Sequence, residues 1–265
     1  MCKAFSCVVT GDGEVFWKEG VDSHEDIIDM YKSKSRYLQD RQMPPLQTFA
    51  RIEILPKDGN YLNPEQEWIY TIDEDTAPAF LNSFHEKICF TEFEKWKEKI
   101  YSSFNLAEAR NPFNPFSVIA PDICKEHIEL LKKWGSVRDS VWASVRDSVR
   151  DSVRDSVWDS VWASVRDSVW ASVRDSVRDS VWDSVWDSVW DSVGAYIGSL
   201  FSQIAEWKYI DYQNPIFAKG QYPFQSAVDL WRQGLVPAYN RQAQKWMLFG
   251  KNNKGAIKIL WEGKI

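Results

Sequence analysis

The sequence predicts two small α+β domains that flank a β-solenoid built from a four-residue repeat. A four-residue step runs from Ser136 to Ala195 without an insertion, and each of its fifteen tetrads begins with Ser-Val. The segments on both sides change between strand-like and helix-like patterns, which is typical of α+β domains. Hydrophobic residues make up 44% of the 265 positions, enough to fill real cores.

The first domain is expected over residues 1–105. Ser23 is suited to cap a helix that ends near Lys32. A longer helix over 79–101 carries apolar residues at helical spacing, so one of its faces can cover a sheet. Four strands are predicted around turn residues such as Gly11-Asp12-Gly13, at residues 4–9, 14–18, 48–55 and 67–72.

Residues 106–135 are expected to form a linker and a lead-in helix, and residues 196–265 a second α+β domain. Two prolines within Asn111-Pro112-Phe113-Asn114-Pro115 interrupt regular hydrogen bonding there. Helices are predicted at 122–134, 196–207 and 224–232, and a terminal hairpin at 245–249 and 256–261.

The repeat over residues 136–195 has two fixed and two variable positions. Slot one is Ser and slot two is Val throughout, whereas slot three is Arg, Trp or once Gly194, and slot four is Asp or Ala. A β-solenoid gives every tetrad the same surroundings, with Val pointing into the bore and Asp-Ser forming the corner. Arg and Trp would then project into solvent.

A long α-helix with right-handed Ser-Val packing is the alternative. A small residue at every fourth position permits close helix crossing, and the neighbouring segments also have helical patterns. Against it, the Val stripe of an unbroken helix drifts by about 40° per tetrad and circles the rod, so a straight neighbour cannot cover it. Ser, Val, Trp and Asp are also mediocre helix formers.

The repeat and the segment "YPFQSAVDLW" resemble those of uncharacterised phage-encoded proteins that bear "SVWDSVWDSV" tracts. The solenoid principle resembles that of pentapeptide-repeat proteins, although the unit here has four residues and Val at its centre. The first resemblance implies no known activity. The second suggests one alternative function, an acidic rod that mimics duplex DNA.

Charge and composition limit the partners. The net charge of −6 argues against a nucleic-acid partner, and no segment is long and apolar enough for a membrane span. Four scattered Cys and the lack of a signal-peptide pattern at the start favour a cytoplasmic protein.

The leading functional prediction is a non-enzymatic, tryptophan-rich interaction protein that binds a protein partner or another copy of itself. Outward-facing indole and guanidinium groups would form its surface, because exposed apolar patches usually mark partners. The predicted binding residues are Trp142, Trp158, Trp162, Trp170, Trp182, Trp186, Trp190, Arg138, Arg146, Arg150 and Arg154. No catalytic residue and no cofactor are predicted.

An enzyme or zinc protein built on the first domain is the runner-up. Removal of Met1 would leave Cys2 as an N-terminal nucleophile with its own amine as base. His85 and Cys89 are four residues apart, and Cys124 and His127 are three apart, so each pair can present two zinc ligands on one face of a predicted helix. Four such ligands suit tetrahedral zinc.

Overall fold

The protein is described by a computed structural model that covers residues 5–39, 47–153, 155–170, 182–214 and 217–265. The side chains of residues 155–156, 169–170 and 182–188 lie outside this description. The chain divides into two compact units, Met1–Ser103 with Arg150–Ser160, and Phe104–Val149 with Val161–Ile265. Within the described residues the strands form two antiparallel sheets, one in each unit.

The first unit is a four-stranded antiparallel sheet with the strand order β2-β1-β3-β4. Its strands are β1 (Phe5–Thr10), β2 (Val15–Phe16), β3 (Phe49–Pro56) and β4 (Trp68–Ile72). The predicted strands and the hairpin turn are confirmed. Gly13 has a φ of 90°, a left-handed conformation that the tight turn requires.

Helices pack on both faces of this sheet. Helix α1 (His24–Tyr31) begins at the predicted cap, where Ser23 accepts a hydrogen bond from the Asp26 amide. Its residues Ile27 and Ile28 form a core with Val8 on one face. Helix α2 (Ser83–Ser102) supplies the other face, where Phe93 and Trp96 lie 5.8 and 5.7 Å from Phe5 between ring centroids.

The second unit contains the three-stranded sheet β5-β6-β7 and several helices. Its elements before the repeat are α3 (Leu106–Arg110) and α4 (Lys125–Gly135), and those after it are α8 (Gln225–Arg232), β5 (Leu235–Asn240), β6 (Lys245–Lys251) and β7 (Ile257–Gly263). The terminal hairpin is confirmed. The sequence prediction missed β5 because Pro237 lies within it, and a proline is tolerated there because β5 is an edge strand.

The predicted β-solenoid is wrong: the described residues of the repeat are helical. They form α5 (Val141–Ser152), α6 (Asp155–Val165), a π-helical turn (Arg166–Trp170) and α7 (Trp182–Ser199). The alternative of one long helix is wrong as well, since α5 ends at Ser152. Helix α7 continues four residues beyond the repeat, whereas the helix predicted over 196–207 ends at Ser199.

Interruptions explain how a poor helical repeat can still be buried. Across three tetrads the Val stripe drifts by about 80°, which fits within one apolar helix face about 100° wide. A break after such a run lets the next helix restart with Val facing inward. The described valines from the second tetrad onward are at most 3% exposed, namely Val141, Val145, Val149, Val153, Val157, Val161, Val165, Val189 and Val193.

Three of the fixed Ser residues connect the repeat helices to other parts of the second unit. The Ser192 hydroxyl donates to the Pro237 carbonyl at 2.9 Å, and that of Ser164 donates to Ala109 at 2.7 Å. Ser148 accepts from the Lys208 amide at 2.8 Å. These three Ser positions therefore hold the repeat helices against segments that are distant in the chain. None of the described helices combines the length and apolar composition needed to cross a bilayer.

Candidate functional site

The third slot of the repeat lies at the edge of each buried helix face. It follows Val by about 100° around the helix, so its side chain reaches both the core and solvent. Trp142, Trp162 and Trp190 are half-buried in this position, whereas Trp158 is only 5% exposed. The predicted outward display of every indole is therefore corrected: Trp158 contributes to the interior.

Three of these indoles converge in the second unit. Trp142 of α5 lies 5.2 Å from Trp162 of α6 and 6.2 Å from Trp190 of α7, measured between ring centroids. Trp162 and Trp190 are 4.9 Å apart. We call these three residues the indole patch. Gly194 lies beside it, because a Cβ at that position would meet the Trp142 ring at 3.5 Å.

Arg138, from the first tetrad, packs over two adjacent aromatic rings. Its guanidinium carbon lies 5.0 Å from the centroid of Tyr239 and 5.4 Å from that of Trp246. Its Nη2 contacts Asp139 Oδ1 at 2.7 Å, and its Nε lies 3.5 Å from Asp191 Oδ2. The side chain is 11% exposed, so it is fixed before any partner arrives.

A depression of about 470 Å³ opens at this arginine. We call it the Arg138 pocket, and it is lined by Arg138, Asp139, Asp191, Tyr239, Arg241 and Gln244. It holds two cations and two anions, so it offers hydrogen-bond donors and acceptors to a ligand of either charge. A polar, mixed-charge lining of this kind suits recognition of another protein surface.

The other predicted arginines occupy more exposed positions. The Arg146 side chain is about half exposed, and its Nε contacts Asp147 Oδ1 at 2.7 Å. Hydrogen bonds from Arg146 and Tyr209 lower the pKa of Asp147. Arg150 is exposed. Arg154 and the side chains of Trp170, Trp182 and Trp186 lie outside the described residues.

The predicted zinc residues form two pairs, one in each unit. His85, on α2, places Nδ1 3.2 Å from Asn82 Oδ1, and Cys89 is buried on the same helix. At the start of α4, the Cys124 amide donates a hydrogen bond to His127 Nδ1 at 3.1 Å. The neutral ring therefore carries its proton on Nε2, and this atom lies 3.0 Å from Gln233 Oε1. Cys2 lies outside the described residues.

A separate cluster in the first unit was not singled out from the sequence. In the part of the chain that the structure describes, His24, Glu53 and Asp73 are the one group of three His, Cys, Asp or Glu side chains with ligand atoms within 4.8 Å of one another. No spacing motif joins these positions. Strand alternation was the signal that the sequence offered. It places Glu53 in β3 and Asp73, directly after β4, on the same face of the sheet.

Comparisons of the chain with protein-family models, with curated proteins and with solved structures find no match.

Proposed function

We propose that this protein is a non-enzymatic interaction protein that associates with a second copy of itself through the indole patch and the Arg138 pocket. The observation that supports this most directly is the convergence of three half-buried indoles from three repeat helices. Trp and Arg are the residues most enriched among those that dominate binding energy in protein interfaces.

A second copy is favoured over another partner by the charges of the pocket. Two-fold interfaces bring the same surface patch together from both subunits, so the patch must be complementary to itself. The Arg138 pocket contains Arg138 and Arg241 together with Asp139 and Asp191. The exposed Arg241 of one copy can therefore face the exposed Asp139 of the other. The acidic DNA-mimic alternative required a rod, and it is withdrawn together with the solenoid.

The first prediction concerns the self-association of the full chain. Trp142→Lys places a charge in the indole patch, and we expect it to weaken the dimer by about 2 kcal/mol, or about 30-fold in the dissociation constant. Light scattering and sedimentation equilibrium over a concentration series measure this change. Far-ultraviolet circular dichroism checks that the variant stays folded.

Phe84→Lys is the matched control, because Phe84 is 56% exposed on α2 and lies outside the patch. We expect it to leave the dissociation constant unchanged. A wild-type chain that stays monomeric over the whole series contradicts the proposal, and so does equal weakening by both substitutions. In either case the indole patch serves only to hold the repeat helices together.

A further inference from the structure

His24, Glu53 and Asp73 come from three different elements of the first unit. His24 is the first residue of α1, Glu53 lies in β3, and Asp73 follows β4. Antiparallel pairing sets Glu53 opposite Thr71, and Asp73 donates its amide to the Arg51 carbonyl at 2.9 Å. The alternating strand positions therefore place both carboxylates on the sheet face that α1 covers.

The histidine ring has an acceptor at each of its nitrogens. Its Nε2 lies 3.1 Å from the Ile52 carbonyl oxygen, and its Nδ1 lies 3.0 Å from Asp73 Oδ2. A neutral imidazole has only one N–H and satisfies only one of these acceptors. With Nε2–H directed at Ile52, the lone pair of Nδ1 faces a carboxylate, which is repulsive unless a cation lies between them. His24 is also 5% exposed, so water has little access to the ring.

The neighbouring charges favour a cation at this position. Arg51, two residues from Glu53 on β3, is already engaged in ion pairs with Glu25 and Glu74. Glu53 and Asp73 add two further negative charges. Within the described residues, the Glu53 carboxylate makes no hydrogen bond or ion pair with another side chain, so it is available as a ligand.

We propose that His24 Nδ1 and the carboxylates of Glu53 and Asp73 bind one divalent transition-metal ion, with Zn²⁺ as the reference. An imidazole ligand favours such ions over Mg²⁺ and Ca²⁺, which prefer oxygen ligands alone. The bond from Nε2–H to the Ile52 carbonyl is the outer contact that usually orients a ligating histidine. Three protein ligands leave at least one position open to water. This inference is independent of the proposed self-association.

Zinc binding by the full-length chain tests this site. Protein treated with a chelator is titrated with ZnCl₂ at neutral pH by calorimetry, and we expect one saturable site per chain. Glu53→Gln and Asp73→Asn should each weaken zinc binding at least tenfold, and His24→Gln should abolish it. Glu53→Gln is the most informative variant, because it removes no hydrogen bond seen in the described structure.

Two control variants exclude other sources of zinc binding. His85→Gln removes another buried histidine of the first unit and should bind zinc like the wild type. Cys124→Ser removes a thiol adjacent to His127 and should leave the stoichiometry at one. If the wild type binds no zinc, or if Glu53→Gln and Asp73→Asn bind it as tightly as the wild type, the proposal is overturned. His24 then serves only as a hydrogen-bond donor to the Asp73 carboxylate.

Discussion

Replacing Val145 by Asp should unfold the second unit at room temperature. Val145 is fully buried on α5, and one of its methyl groups lies 2.8 Å from the position that a Cβ on Gly198 would occupy. Loss of the buried side chain costs about 2 kcal/mol, and an unpaired buried carboxylate costs several kcal/mol more. The sum is comparable to the whole stability of a typical domain, about 5–15 kcal/mol.

Urea and thermal unfolding, followed by circular dichroism, measure this effect on the full chain. Val145→Ala should show an intermediate loss of about 2 kcal/mol, because it removes two methyl groups and leaves a small cavity. Ala143→Asp is the matched control on the same helix, since it converts the tetrad to the SVWD form found at Trp158-Asp159 and Trp190-Asp191. We expect the control to cost less than about 1 kcal/mol. A Val145→Asp protein as stable as the control would show that the Val stripe is exposed.

Local signals in the sequence were sufficient for most elements of the two flanking regions. Ser23 followed by acidic residues identified the start of α1, because a cap and a favourable helix dipole act within one turn. Gly11-Asp12-Gly13 identified the first hairpin for the same reason: Thr10 Oγ1 donates to Asp12 Oδ1 at 2.6 Å within the turn itself. Such features depend on few residues and not on the rest of the fold.

The repeat could not be predicted in this way, because its structure depends on distant partners. Identical tetrads suggested identical surroundings, yet three of the fixed Ser residues have different distant partners: Ser148 bonds to Lys208, Ser164 to Ala109 and Ser192 to Pro237. The objection to a helix assumed an unbroken rod. The objection does not apply to helices that end after about three tetrads, as α5 does at Ser152.

Register along the repeat depends on the variable slots. A shift of one tetrad preserves every Ser and Val but moves Arg138 away from the rings of Tyr239 and Trp246. The same shift separates Trp142 from Trp162 and Trp190. We infer that the Arg and Trp positions select one register among several that the fixed slots permit. The sequence alone marked these residues as unusual, but it could not identify the residues that they contact.

Gly198→Ala should destabilise the protein by about 2 kcal/mol, although Gly→Ala within a helix normally stabilises by about 1 kcal/mol. An added Cβ would lie 2.2 Å from the Tyr222 hydroxyl oxygen and 2.8 Å from a methyl group of Val145. The phenol cannot move away easily, because its hydroxyl donates to the Ala195 carbonyl at 2.5 Å and its ring packs against Trp207 and Phe224. Overpacking of this kind costs about 1–3 kcal/mol and outweighs the gain in helix propensity.

A double-mutant cycle with Tyr222→Phe separates the clash from other effects on α7. Tyr222→Phe alone should cost about 1 kcal/mol, the contribution of one hydrogen bond. It also removes the oxygen that a Cβ would strike, so Gly198→Ala with Tyr222→Phe should cost at least about 1 kcal/mol less than the two single effects added together. Gly194→Ala is the matched control four residues earlier, where the new Cβ would have ordinary contacts at 3.5 Å, and it should stabilise the protein. If Gly198→Ala is as stable as Gly194→Ala in urea unfolding, α7 does not pack as closely on Tyr222 as described. The close contact is then not the reason for a glycine at position 198.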